Sequence, residues 1–228
     1  MPLNSEGFKI RDIREYATLV FDCDGVVLDS NKVKTDAFYK SALPYGEKLA
    51  NELVRYHKEN GGVSRYIKFE YFLDSILGVS IKQHMLNELL KSYSENVYDG
   101  LRSCQVNSGL KKLRNYTNSR WMIASGGDQS ELNEIFLLRN IYDYFDGGIF
   151  GSPDTKDTIL SRELNNGNIK LPALFLGDSQ YDYQSSIDAK IDFVFLSDWT
   201  EFKNWNDYCN KHKLNVFGSL SSLILLDS

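Results

Sequence analysis

Asp22 and Asp24, one residue apart in Leu19-Val20-Phe21-Asp22-Cys23-Asp24-Gly25, offer the most chemistry in the chain. Leu19, Val20 and Phe21 read as a buried strand, and Gly25 marks where it stops. Side chains alternate along a strand, so the two carboxylates point to one side and Cys23 to the other. Two carboxylates at a low-dielectric strand end repel. A cation, a shared proton or solvent has to neutralise them. The chemistry this suggests is Mg²⁺-dependent phosphoryl transfer. Two further strand ends are polar: Trp121 to Ala124 runs into Ser125-Gly126-Gly127, and Ala173 to Gly177 runs into Asp178. Each alone is an ordinary turn or helix-cap residue. Together with Lys156, which sits near a helix start, they point to one site.

The elements that must position these residues follow from periodicity. Strand-like runs at 18–24, 121–124, 148–151, 173–178 and 192–196 alternate with helical segments near 106–117, 128–139, 155–164, 182–190 and 200–213. Asp128 followed by Glu131 resembles a capping box. A short strand near Val216 and an apolar turn at Leu223 to Leu226 close the chain, and residues 1–16 read as a polar leader lying against the surface. This alternation predicts an α/β fold: a Rossmann-like, mainly parallel sheet with helices on both faces, binding its ligand outside the carboxyl ends of the strands. From about Asn31 to Ser103 the pattern changes to helices alone, at Val33–Leu43, Glu47–Lys58, Ser64–Leu77 and Ile81–Val97, punctuated by glycines. The expected division is 1–30 with 104–228 as one α/β core, and 31–103 as a helical insertion.

Composition narrows the function classes. The chain has 228 residues, 42% hydrophobic and 13% aromatic, enough for a substantial core. A formal net charge of −5 speaks against nucleic acid as the main partner. No apolar run approaches the ~18 residues of a membrane span, and the first residues lack a signal-peptide core. Cys23, Cys104 and Cys209 form neither a disulfide framework nor a zinc pattern, and His57, His84 and His212 are equally dispersed. These features place the protein in the cytoplasm.

The segments Asp22-Cys23-Asp24-Gly25-Val26-Val27-Leu28-Asp29-Ser30, Ser125 in Ala-Ser-Gly-Gly, Lys156 in Ser-Pro-Asp-Thr-Lys-Asp, and Gly177-Asp178-Ser179-Gln180-Tyr181-Asp182 resemble, in order and spacing, the haloacid dehalogenase superfamily. The likeness is to its phosphoglycolate phosphatase and β-phosphoglucomutase branch. The resemblance implies that Asp22 is a nucleophile forming an aspartyl-phosphate. It implies that Asp24 is general acid and then base, its main-chain carbonyl also a metal ligand. Ser125 and the Gly126 N–H would hold phosphoryl oxygens, and Lys156 would neutralise them. Asp22, Asp24 and Asp178 would hold Mg²⁺, with Asp182 supporting them through water or Lys156.

By the same resemblance, residues 31–103 are an α-helical cap that closes over the site and reads the leaving group. Its most site-like stretch is Gly61 to Phe69, where Arg65 and Lys68 either meet an anionic leaving group or form a solvated basic face. Two positions depart from the family pattern: Lys190 stands where a glycine is usual, and Cys23 where a larger apolar residue is common. The implied activity is hydrolysis of a small phosphomonoester, a sugar phosphate or a phosphoglycolate-like acid. The alternatives are a sugar phosphomutase and a non-catalytic binding protein.

Overall fold

A computed structural model of the chain describes residues 10–224. Six parallel strands form one sheet in the order β3-β2-β1-β4-β5-β6. They are β1 (Thr18–Phe21), β2 (Arg120–Asp128), β3 (Ile149–Ser152), β4 (Ala173–Gly177), β5 (Asp192–Leu196) and β6 (Asn215–Phe217). The central strands are apolar and buried on both faces, as a parallel sheet covered by helices requires. Leu19, Phe21, Trp121, Ile123, Leu174 and Leu176 pack on one side of the sheet, while Val20, Met122, Ala124, Phe175 and Phe195 pack on the other.

Register then fixes the site. Phe21 stands level with Ile123 on one side and with Leu176 on the other. Asp22, Ser125 and Asp178, each one or two residues further along, therefore emerge at the same carboxyl edge. That edge is also where strand order reverses, between β1 and β4, the usual crevice of doubly wound sheets.

Between β1 and β2 the chain makes α1 (Asn31–Ala42), α2 (Glu47–Glu59), α3 (Arg65–Tyr71) and α4 (Gln83–Ser103). Their apolar faces meet around Phe38, Leu53, Phe69, Phe72, Leu89 and Tyr93, all buried and continuous with one side of the sheet core. The remaining helices, α5 (Leu110–Tyr116), α6 (Gln129–Leu138), α7 (Lys156–Asn165), α8 (Gln180–Ala189) and α9 (Trp205–His212), lie among the strands.

Several boundaries differ from expectation. The helix expected from residue 106 starts at Leu110. Asn107 instead donates its main-chain N–H to the Val27 carbonyl, and its side chain accepts from the Gly109 N–H. The helix expected through Leu77 gives way after Tyr71 to a π-turn at Phe72–Ile76, whereas α4 runs on to Ser103. The last helix begins at Trp205 rather than near 200. Of the polar leader, residues 1–9 lie outside the described residues, while Ile13 and Tyr16 are buried. Of the turn expected at Leu223 to Leu226, residues 225 and 226 lie outside the described residues, and a 3₁₀ turn covers Leu220–Leu223. Lys190 caps α8 with a left-handed φ of 56°, the conformation glycine adopts most easily.

Candidate active site

Asp22 follows β1 directly, and its backbone N–H continues the ladder by donating to the Leu176 carbonyl at 2.9 Å. Its carboxylate is therefore held on rigid backbone. One oxygen accepts the Cys23 N–H at 2.7 Å, and the other takes Lys156 Nζ at 2.9 Å. Lys156, the first residue of α7, is buried with its ammonium between Asp22 and Asp182. Asp182 is fully committed: one oxygen meets Lys156, while the other accepts from the Asp178 and Ser179 N–H groups and from the Ser179 hydroxyl. This capping box at the start of α8 sets the height of Asp182 beneath Lys156.

Asp178 is anchored by Asn31, whose amide donates to it at 2.7 Å and to the Trp199 carbonyl at 2.9 Å. Thr200 donates to the Asp178 main-chain carbonyl. Gly25 has φ 75°, and a Cβ there would lie 2.1 Å from the Asp178 carboxylate. Only glycine lets the β1 loop pass this close.

Asp24 turns away from this group. Its carboxylate accepts from Ser30 Oγ at 2.6 Å and pairs with Lys34 of α1. Burial pushes the Asp24 carboxyl upward, but Lys34 and Ser30 outweigh it and hold it below the usual range. Asp22 is different: burial raises it to about 7 against the pull of Lys156, with Asp182 and Asp24 adding to the rise. Burial, then Asp22 and Asp182, push Asp178 well above the ordinary carboxylate range.

The charges do not balance. Four carboxylates, Asp22, Asp24, Asp178 and Asp182, face two ammonium groups, Lys34 and Lys156. Carboxylate oxygens of Asp22, Asp178 and Asp182 lie within 4.8 Å of one another, all buried. A surplus of two negative charges on hard oxygen ligands fits a divalent cation such as Mg²⁺. Asp22 and Asp178 have the freer oxygens for it, since those of Asp182 are satisfied. The Asp24 carboxylate belongs to Lys34, so of Asp24 only the main-chain carbonyl is left to contribute.

Ser125 is fully buried, and its hydroxyl accepts the Gly127 N–H at 3.0 Å. The strand expected to end here continues through Gly126 and Gly127 to Asp128. Both glycines line a cavity of about 400 Å³ that also reaches Asp22, Asp24 and Asp178. A Cβ on Gly126 would sit 2.2 Å from the Gly62 carbonyl, so sheet edge and helical layer touch there.

The helical layer roofs the cavity. Arg65 is buried, but it is bonded to Glu131 of α6 at 3.0 Å and lies 4.4 Å over the Tyr93 ring. Glu131 therefore does not complete a capping box with Asp128, which caps α6 alone by accepting from the Ser130 and Glu131 N–H groups. Lys68 is also buried, against His57 at 2.8 Å, and lines the cavity. Neither residue lies on a solvated basic face. Sequence reasoning does not single out Lys34, Asn31 or Thr200, and it takes His57 only as a dispersed histidine. Lys34 and Asn31 follow Asp29-Ser30 on the first turn of a helix leaving the site, the one signal that pointed to them.

The profile of the haloacid dehalogenase-like hydrolase family matches residues 16–189. No curated protein sequence matches the chain. Among solved structures, a hydrolase from Pseudomonas syringae is 19% identical, with a TM-score of 0.70 over 92% of this chain and 98% of its own. A phosphatase assigned in Clostridium acetobutylicum is 17% identical, with a TM-score of 0.69 over 91% and 96%. A candidate phosphoglycolate phosphatase from Lactobacillus delbrueckii is 18% identical, with a TM-score of 0.67 over 91% and 96%.

Proposed function

The chain belongs to the haloacid dehalogenase-like hydrolase family, and on that premise we propose that it is a Mg²⁺-dependent phosphatase acting on a small phosphomonoester. The observation that carries this reading is Lys156 clamped between Asp22 and Asp182 beside Asp178, at the edge of a cavity sized for a small molecule. The α1–α4 layer, residues 31–103, acts as a cap over that cavity. The phosphatases among its structural relatives support the reading, and three free thiols fit a reducing cytoplasm.

In the first step an Asp22 oxygen attacks phosphorus. The bond to the leaving oxygen breaks, and Asp24 supplies that oxygen's proton. In the second step water attacks the aspartyl-phosphate, Asp24 takes the water's proton, and inorganic phosphate leaves. Asp24 is ionised against Lys34, which suits the second step. The first requires the Lys34 contact, carried by α1, to loosen. Lys156 holds Asp22 in place and balances charge on the phosphoryl oxygens, and the Gly126 N–H would add a donor to them. Mg²⁺ bound by Asp22, Asp178 and the Asp24 carbonyl would screen the carboxylates from the incoming phosphate.

A phosphomonoester panel with Mg²⁺, run beside Asp22→Asn, tests this reading. Turnover by the native enzyme and none by the variant is expected. Turnover surviving in Asp22→Asn removes Asp22 as nucleophile, and a panel without any turnover points to a non-catalytic binding protein. Isomerised hexose phosphate as the product would mark a mutase.

A further inference from the structure

The four carboxylates at the sheet edge are held by partners of different charge. Asp22 and Asp182 share Lys156, and Asp24 pairs with Lys34. Asp178 is held by a neutral group. Asn31 Nδ2 donates to Asp178 Oδ2 at 2.7 Å and to the Trp199 carbonyl at 2.9 Å, which uses both hydrogens of the amide and fixes its orientation. Among the described residues, Asp178 forms no ion pair with a lysine or arginine. The Gly25 turn lies against this bond: a Cβ there would come within 2.5 Å of Asn31 Nδ2 and 2.1 Å of Asp178 Oδ2. Asn31 and Asp178 both line the cavity.

A neutral donor does here what a charged group cannot. A lysine in this place would orient the carboxylate but offset the charge that a divalent cation needs. An aspartate would donate nothing and add repulsion. The amide orients Asp178 and leaves its full charge for a cation. A ligand carboxylate that is already held loses little freedom when the metal arrives, whereas a loose one has to be ordered at that moment. Hydrogen-bond partners of ligand carboxylates accordingly set much of a site's affinity. Asn31 is also the first residue of α1. The start of that helix carries Lys34, paired with Asp24, and Thr35, which donates to Glu201 in the loop after β5. The Asp178 carboxylate is therefore oriented from the helical layer rather than from the sheet that bears it.

We propose that Asn31 is a positioning residue for the metal: its amide fixes the Asp178 carboxylate without neutralising it, so that the affinity for Mg²⁺ is set in part from the helical layer; this rests on the Mg²⁺ site of the reading above.

Calorimetry on the full chain, without substrate, measures Mg²⁺ binding by the native protein and by Asn31→Ala, Asn31→Gln and Asn31→Lys. Asn31→Ala should weaken binding by about 10- to 100-fold. Glutamine and lysine are similar in reach and both donate, but only lysine carries charge. Asn31→Gln should therefore bind Mg²⁺ at least about 10-fold more tightly than Asn31→Lys. That pair decides the matter if circular dichroism shows Asn31→Ala unfolded. Excess Mg²⁺ should return the turnover of Asn31→Ala towards the native value, a rescue that a merely structural fault would not show. Native affinity in Asn31→Ala, or equal affinities in Asn31→Gln and Asn31→Lys, overturns the positioning role while the phosphatase reading stands. Native protein that binds no Mg²⁺ overturns the role together with the Mg²⁺ site. The expected pattern of affinities supports the role even where no ester is turned over.

Discussion

The carboxyl edge of the sheet and the helical layer above it hold charge in different ways. At the sheet edge, Asp22, Asp178 and Asp182 are positioned by strand register and by a capping box, over short stretches of chain. Their surplus negative charge is left for a ligand to offset. In the helical layer, Arg65 finds Glu131 and Lys58 finds Glu201, partners far away in sequence, and Lys68 is left over. The edge is a rigid acidic floor with capacity for a cation. The roof's cavity-lining cations draw their carboxylates from outside the helical layer, and among the described ones Lys68 alone has none.

Breaking the floor should have the largest effect. Asp22→Asn is expected to lower phosphomonoester turnover by roughly 10⁴-fold or more, the scale at which a nucleophile's loss leaves only binding and positioning. Steady-state phosphate release measures it. Second is the pair that ties the roof to α6, Arg65 with Glu131. Arg65→Met should cost about 3–5 kcal/mol in urea unfolding because it strands a largely buried Glu131. The double change Arg65→Met with Glu131→Leu should recover most of that loss. A single variant as stable as the native protein would mean that the roof does not depend on the pair.

Third, Mg²⁺ should stabilise the floor. At 100 times its Kd the gain is about 2.7 kcal/mol, a rise in Tm of several degrees, removed by chelator and much reduced in Asp178→Asn. An unchanged Tm would mean that the four carboxylates are balanced without a cation. The smallest effect concerns Lys68. Burial and the nearby Lys34 pull the folded Lys68 down to about 7, against 10.5 for an unburied lysine. Between these the unfolded state binds the extra proton, so the native state's handicap is full below pH 7 and fades as pH rises. Native protein should therefore gain about 2 kcal/mol on Lys68→Met between pH 7 and 9, measured by unfolding at both pH values. An equal response in both proteins would show Lys68 already compensated.

The floor was readable in the sequence because its parts are local. A run of β-branched and aromatic residues ending in Asp-Cys-Asp-Gly specifies strand, turn and carboxylates within a few positions, and parallel pairing brings equivalent strand ends level. The helical character of 31–103 was readable for the same reason, from apolar stripes at helical spacing. Boundaries slipped where a distant contact intervened. Asn107 is drawn to Val27, which delays α5, and Glu131 is drawn to Arg65, which removes it from its own helix cap.

What lay beyond the sequence is the pairing of charges across long separations. Arg65 and Lys68 look alike as basic residues three apart on one helix. Only the packing of α3 against α2, α4 and α6 gives one of them a carboxylate and the other a histidine. Asp24 likewise reads as a twin of Asp22, yet α1 brings Lys34 to it and so separates their proton affinities. The sequence alone determined which groups can do chemistry and which strand ends carry them, because backbone periodicity is a local property. The tertiary structure decided which of those groups are already neutralised and which are left to meet a ligand, because electrostatic balance in a buried site depends on every charge folded around it.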